Sequence, residues 1–226
     1  MSQYVRYDSC NMEIVTSVGV IDKAMLILRS VAEEPVTLQE LLLATGLPRA
    51  TAHRLASALE AHGLLRRDGE GRFELGHGLA ALGQEAASRF PLAEIARPVL
   101  TELRDSTGES VQLFVREGAG IGAQRRCVLS LESTHGLRWI VPEGALLPLD
   151  VGSAGRVLSG VPGNQGWVES VGEREPGVAS VSAPVTGRDG TVIAAVSVSG
   201  PIERLSREPG ERFGAAVIGA ARILAI

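Results

Sequence analysis

Nine side chains between residues 49 and 72 have the chemistry to meet a nucleic acid. Arg49, Ala50, Thr51, His53, Arg54 and Ser57 fall on one helical stretch, and Arg66, Arg67 and Arg72 on a strand-like stretch after it. A guanidinium can bond guanine O6 and N7 together, and short side chains let a helix backbone come close to base edges in the major groove. Arginines beside such a helix can take the flanking phosphates, which fixes register rather than reading sequence. A helix face of this composition can equally be plain solvated surface, so the helix alone leaves both readings open.

A second set lies in the distal half. Ser153 and Ala154 follow Gly152 at the expected start of a short helix, where backbone N–H groups favour an anionic guest. Ser197 and Ser199 alternate with Val196 and Val198, so on a strand both hydroxyls point to one face. If that face is internal, the hydroxyls need partners that a polar ligand could supply. If Ala194, Val196 and Val198 face the core instead, the serines are simply solvated. Gly118, Gly120 and Gly122 sit between two strand-like runs and fit a flexible hairpin tip better than a nucleotide fingerprint. No G-x-S-x-G, close Ser/His/Asp grouping or zinc-type spacing occurs, so neither an enzyme nor a metal site nor a cofactor is expected.

The elements that would position the first set are well signalled. Thr37 with Glu40 spells a capping box, so a helix begins at Leu38, and Thr45-Gly46 stops it. Pro48 suits the first turn of a second helix, running from about Pro48 to His62 with Ala52, Leu55, Ala56 and Leu59 inward. Leu64–Asp68 and Arg72–Leu75 then flank the turn Gly69-Glu70-Gly71 as a hairpin. With a preceding helix over Asp22–Val31, the pattern specifies a winged helix-turn-helix domain at residues 17–77, after a flexible arm at 1–16. A linker helix is expected within 78–91.

Residues 92–226 read as an α+β domain. A helix over Leu92–Ser106, kinked or restarted at Pro98, precedes strand-like runs at Ser110–Glu117, Arg125–Glu132, Leu137–Val141, Val178–Val185 and Thr191–Ser199. The tail, Pro209–Ile226, is helical. The expected result is a mostly antiparallel sheet with helices on one face.

Composition bounds these readings. The 226 residues carry 45% hydrophobic and 21% charged side chains, the balance of a globular chain with a real core. No apolar run reaches the roughly 20 residues a membrane helix needs, and no signal pattern opens the chain, so a cytoplasmic protein without membrane contact is expected. Cys10 and Cys127 make no disulfide framework and are expected to be reduced. The net charge of −4 argues against a nonspecific nucleic-acid coat. Residues 49–72 nevertheless hold five arginines against Glu60, Asp68 and Glu70, a local +2 suited to a small specific footprint.

In order along the chain, Val20–Ala24, Ala44–Leu65 (ATGLPRATAHRLASALEAHGLL), Gly71–Gly83, Ile95–Leu113, Glu175–Val185 and Ala194–Leu205 resemble the IclR family of transcriptional regulators. The last two blocks are similar to the NdgR-type regulators of amino-acid biosynthesis. The resemblance implies a homodimer or dimer of dimers on a pseudo-palindromic double-stranded operator, with a GAF-like or profilin-like domain sensing a small organic acid or amino acid. It places the effector pocket at Ser153, Ala154, Ser180 (where a cysteine is common), Ser197 and Ser199. Three departures stand out: Arg156 replaces a usual lysine, Ser170 replaces an acidic residue, and residues 160–166 form an unusually short connection. The rival expectation is a winged-helix adaptor that binds protein rather than reading DNA.

Overall fold

The capping box forms as spelled: the Thr37 side chain accepts from Glu40 N, and the Glu40 carboxylate accepts from Thr37 N at 2.7 Å. The helix it opens ends at Gly46, whose φ of 62° is the left-handed conformation that glycine takes without strain. These details come from a computed structural model that describes residues 19–89, 91–118, 122–161, 163 and 165–226. The 1–16 arm, Cys10, and residues 119–121 of the glycine-rich tip lie outside the described residues, as do Phe90, Pro162 and Asn164. The chain forms two compact units, Met1–Arg89 and Phe90–Ile226.

In the first unit, α1 (Gly19–Ser30), α2 (Leu38–Thr45) and α3 (Arg49–Ala61) pack around Ile27, Leu28, Leu41, Ala56 and Leu59. A small antiparallel ribbon follows, β1 (Leu65–Arg67) with β2 (Phe73–Leu75), in the register Leu65↔Leu75. Leu65 and Phe73 point into the same core, and Val36 adds a bridge to Phe73. The ribbon is therefore anchored on one face and free on the other. The helix α4 (His77–Arg89) leaves it; its start lies so close to Gly63 that a Cβ at Gly76 would overlap the Gly63 carbonyl.

The second unit is a six-stranded antiparallel sheet in the order β5-β4-β3-β8-β7-β6. Its strands are β3 (Ser110–Glu117), β4 (Gln124–Leu131), β5 (Leu146–Pro148), β6 (Val168–Val171), β7 (Val178–Thr186) and β8 (Val192–Pro201). The helices α5 (Leu92–Thr107) and α8 (Pro209–Ile223) supply Leu100, Leu103, Phe213 and Val217 to the core on one face, against Val111, Val181, Val196 and Val198. The short α6 (Ser153–Leu158) covers the other face with Phe114, Cys127, Val141 and Ala195, and α7 (Ile202–Leu205) follows β8. Helices thus lie on both faces, where the sequence pattern suggested one. A six-residue helix inside a glycine-rich stretch is too short to give a period.

Two further differences have local causes. Pro98 does not restart α5, which runs continuously through it. It sits on the exposed side, where water can satisfy the carbonyl whose donor proline removes. The run Leu137–Val141 forms no strand: Leu137 is exposed, Val141 is buried, and the segment is a loop leading to Pro142. The edge partner of β4 is instead β5, pairing Arg125 with Leu147.

Candidate functional site

The first candidate site is the exposed side of α3 with its ribbon. Ala52 and Ala56 are fully buried and Leu59 nearly so, which fixes the rotation of the helix. Arg49, Ala50, His53 and Arg54 are consequently exposed, and Thr51 and Ser57 half-buried at the margin. Pro48 stands at the N-cap with no side-chain cap, so the first turn presents free backbone N–H groups beside Arg49. Among the described residues neither Arg49 nor Arg54 has an ion-pair partner.

The ribbon arginines are placed differently. Arg66 pairs with Glu74 at 2.9 Å, Arg67 with Glu60 at 3.3 Å, and Arg72 with Asp68 at 2.8 Å. Arg67 also lies over the Phe73 ring, 4.2 Å from its centroid. Hydrogen bonds from Arg72 hold the Asp68 carboxyl below its ordinary range, and Asp68 in turn raises the Arg72 guanidinium. Counting charge along the sequence missed this, because Glu74 and Glu60 reach the arginines only through the strand register and the α3–ribbon packing. The unpaired positive charge of the surface belongs to the helix, not to the ribbon.

The second candidate site lies on the α6 face of the large sheet. Ser180 and Ser182 on β7 stand opposite Ser199 and Ser197 on β8, and Gln112 on β3 stands opposite Ser197. Ser153 drops onto this row from α6, its Oγ 2.7 Å from both Ser180 Oγ and Ser182 Oγ. Ser199 donates to Gln112 Oε1 at 2.8 Å. Ser197 and Ser199 are therefore internal, and so are Ala194, Val196 and Val198 behind them, because both faces of β8 are covered. A small cleft of about 40 Å³, partly open to solvent, is lined by Ser153, Ala154, Ser180, Ser197 and Ser199 together with Gln112, Arg125, Trp139, Ser170 and Arg174.

Sequence reasoning missed four of these, Gln112, Arg125, Trp139 and Arg174. Gln112 is an ordinary inward residue by alternation, and its buried position follows only from the sheet order. Arg125 is 3% exposed and donates through Nη1 to the backbone carbonyls of Pro148 and, at 2.6 Å, Val151. Burial pushes its guanidinium down to about 10, with Arg174 adding to the shift, so it stays charged at neutral pH. Gly152 and Gly155 leave the room it needs; a Cβ at Gly155 would overlap Nη1. Arg174 lies over the Trp139 ring, 4.8 Å from its centroid. At the start of α6 the Gly152 N–H already donates to Glu173 at 3.1 Å, and Arg156 pairs with the same carboxylate at 2.9 Å.

A helix-turn-helix with a ribbon in one unit, and a sheet holding a polar cleft in the other, is the layout of a DNA-binding regulator that answers to a small molecule. Residues 20–69 match the IclR helix-turn-helix domain, and residues 84–162 and 163–225 match the bacterial transcriptional regulator IclR C-terminal domain. The chain belongs to the IclR family of bacterial transcriptional regulators.

It is 29% identical to the HTH-type transcriptional regulator KipR of Bacillus subtilis over 79% of this chain and 84% of that one. It is 25% identical to the transcriptional repressor IclR of Escherichia coli over 89% and 87%. Its fold matches the Thermotoga maritima IclR structure with a TM-score of 0.70 at 20% identity, covering 91% of this chain and 97% of the other. It also matches an IclR homologue from Microbacterium hydrocarbonoxydans complexed with 4-hydroxybenzoate, with a TM-score of 0.71 at 20% identity over 91% and 98%. Among the described residues no helix is long and apolar enough to cross a membrane.

Proposed function

We propose that α3 enters the major groove of an operator with Arg49, Ala50, Thr51, His53, Arg54 and Ser57 toward the bases. The observation that carries this is the exposed, carboxylate-free ridge of Arg49, His53 and Arg54 on a helix whose opposite side is locked by Ala52, Ala56 and Leu59. Arg66, Arg67 and Arg72 then exchange their carboxylate partners for phosphates, which positions the helix without reading sequence. Two copies of the chain bind a pseudo-palindrome with half-sites about one helical turn (~34 Å) or a multiple apart, as the geometry of paired recognition helices requires.

On this reading residues 17–77 are the DNA-binding domain, α4 is the linker, and residues 92–226 sense the effector. The cleft around Ser153, Ala154, Ser180, Ser197 and Ser199 takes a small organic acid or amino acid, and the ligand acts by favouring one of two arrangements of the dimer. Control of amino-acid metabolism rests on the resemblance of Glu175–Val185 and Ala194–Leu205 to NdgR-type regulators. A cytoplasmic location goes with the DNA-binding role.

A gel-shift with DNA from upstream of the chain's own coding region, at fixed salt and with excess nonspecific competitor, tests the proposal. A retained complex that a metabolite library weakens or strengthens is the expected result. Absence of any retained complex would favour the protein-binding adaptor.

A further inference from the structure

The helix α3 presents a single long side chain on the line opposite its core. Ala52, Ala56 and Leu59 face inward, and successive residues of an α-helix turn by roughly 100°. The row diametrically opposite them is therefore Ala50, Arg54, Ser57 and Ala61, at i, i+4, i+7 and i+11. Ala50, Arg54 and Ala61 are exposed and Ser57 is half-buried. Arg49 and His53 stand to one side of this row, the side on which Glu60 meets the ribbon through Arg67.

The make-up of the row sets what each member can do. Apart from Arg54 it holds only alanine and serine, so no other side chain on it reaches beyond a hydroxyl. Short side chains let the helix backbone come close to the base edges. The one long chain among them then reaches the groove floor, not the walls where the phosphates lie. Arg54 has no ion-pair partner among the described residues, so its fork of donors is free for a guest. The row has no carboxylate, the acceptor that a cytosine amino group would need. A guanidinium offers parallel donors and no acceptor. Guanine is the base that presents two acceptors, N7 and O6, in the major groove, whereas adenine sets a donor beside its N7.

We infer that Arg54 is the principal specificity-determining residue of α3, that it reads a guanine through O6 and N7, and that Ala50 packs on the methyl group of a thymine about two base pairs away. The spacing follows from the helix rise: four residues at ~1.5 Å each span about 6 Å, against ~3.4 Å per base pair. The inference rests on α3 entering the major groove and gives the half-site it reads a base content.

The test uses the full-length chain and duplexes selected from a random library, once by the wild type and once by Arg54→Gln. The wild type should enrich a half-site with one fixed guanine and a thymine about two base pairs from it. A glutamine amide matches adenine N6 and N7, so Arg54→Gln should enrich adenine in place of that guanine and leave the other positions as they were. On duplexes differing at that one pair, the wild type should prefer guanine by roughly 5- to 150-fold, and the variant should prefer adenine. Arg54 is exposed, so the variant should melt as the wild type does. A second measurement needs no variant. Replacing the thymine by uracil removes only its methyl group and should weaken wild-type binding about three- to fourfold.

Enrichment of the same guanine by Arg54→Gln, or a loss of affinity with no change in the preferred base, would assign Arg54 to phosphate and overturn the inference. So would a wild-type half-site without a guanine, or uracil bound as tightly as thymine. Each of those results still includes a selected sequence, so the DNA-reading role of α3 would stand on Arg49 and His53. Failure of the wild type to enrich any sequence would remove that role and the inference together.

Discussion

Replacing Glu74 with glutamine should make the protein bind DNA more tightly, which is the reverse of what a structural salt bridge would suggest. Arg66 and Glu74 are 2.9 Å apart with side chains 49% and 22% exposed. Such surface pairs contribute only about 0–1 kcal/mol, so losing this one leaves the fold intact. Bound to a phosphate, Arg66 would leave Glu74 behind as an anion roughly 7 Å from the backbone charge, a repulsion of about 0.6 kcal/mol in water. Salt damps it within a Debye length of ~8 Å, so the term fades as ionic strength rises. Glu74→Gln should therefore raise affinity about two- to threefold near 50 mM salt, with a log–log salt slope steeper by some fraction of the ~0.9 expected for one phosphate contact. The gain should be the same for operator and scrambled duplexes, because Arg66 meets phosphate and not bases. Fluorescence anisotropy over a salt series with both duplexes measures all of this. A fall in affinity, or a gain confined to the operator, would refute the reasoning.

Other expectations are independent of that one. Arg49→Ala or His53→Ala should cost about 1–3 kcal/mol on the operator and little on scrambled DNA, measured by competition binding. Gly214→Ala should destabilise the second unit by about 1–3 kcal/mol in a denaturant melt, because a Cβ there overlaps the Trp167 indole. The Cys127 thiol, pushed up to about 12 chiefly by burial and then by Glu143, should react with thiol reagents at pH 8 only after unfolding. The Glu40 carboxyl is held below its ordinary range by the Thr37 backbone and side-chain hydrogen bonds. Its contribution should be fully present above the unfolded value near ~4.3 and lost as pH falls through the lower folded one. Thr37→Ala should flatten that acid limb in a pH series of melts.

The DNA-binding half was legible because its signals are local. A capping box, a left-handed glycine and an i, i+3, i+4, i+7 stripe each act within one helical turn, and α2 and α3 formed where those signals put them. The ribbon was legible as a shape but not as a charge distribution, since Glu74 opposes Arg66 only once β1 and β2 pair. The sensing half was less open to reading. Ser197 and Ser199 could be placed on one face by alternation, yet their burial depends on α6 and β7, which come from distant sequence. Gln112 and Arg125 carry no local mark at all; they meet at the cleft only because β3, β4 and β8 lie side by side. The Leu137–Val141 run misled for the same reason, as the edge of β4 was taken by β5 instead.

The most direct measurement takes a duplex selected by the purified chain from random sequence and compares its binding with a scrambled duplex at one physiological salt concentration. The wild-type protein should prefer the selected site by about a thousandfold or more, and Arg49→Ala should cut that preference by roughly 5- to 150-fold, the equivalent of about 1–3 kcal/mol, while leaving scrambled binding nearly unchanged. No preference for any sequence, or a preference that survives the loss of Arg49, His53 and Arg54 together, would contradict the assignment of α3 as the element that reads DNA.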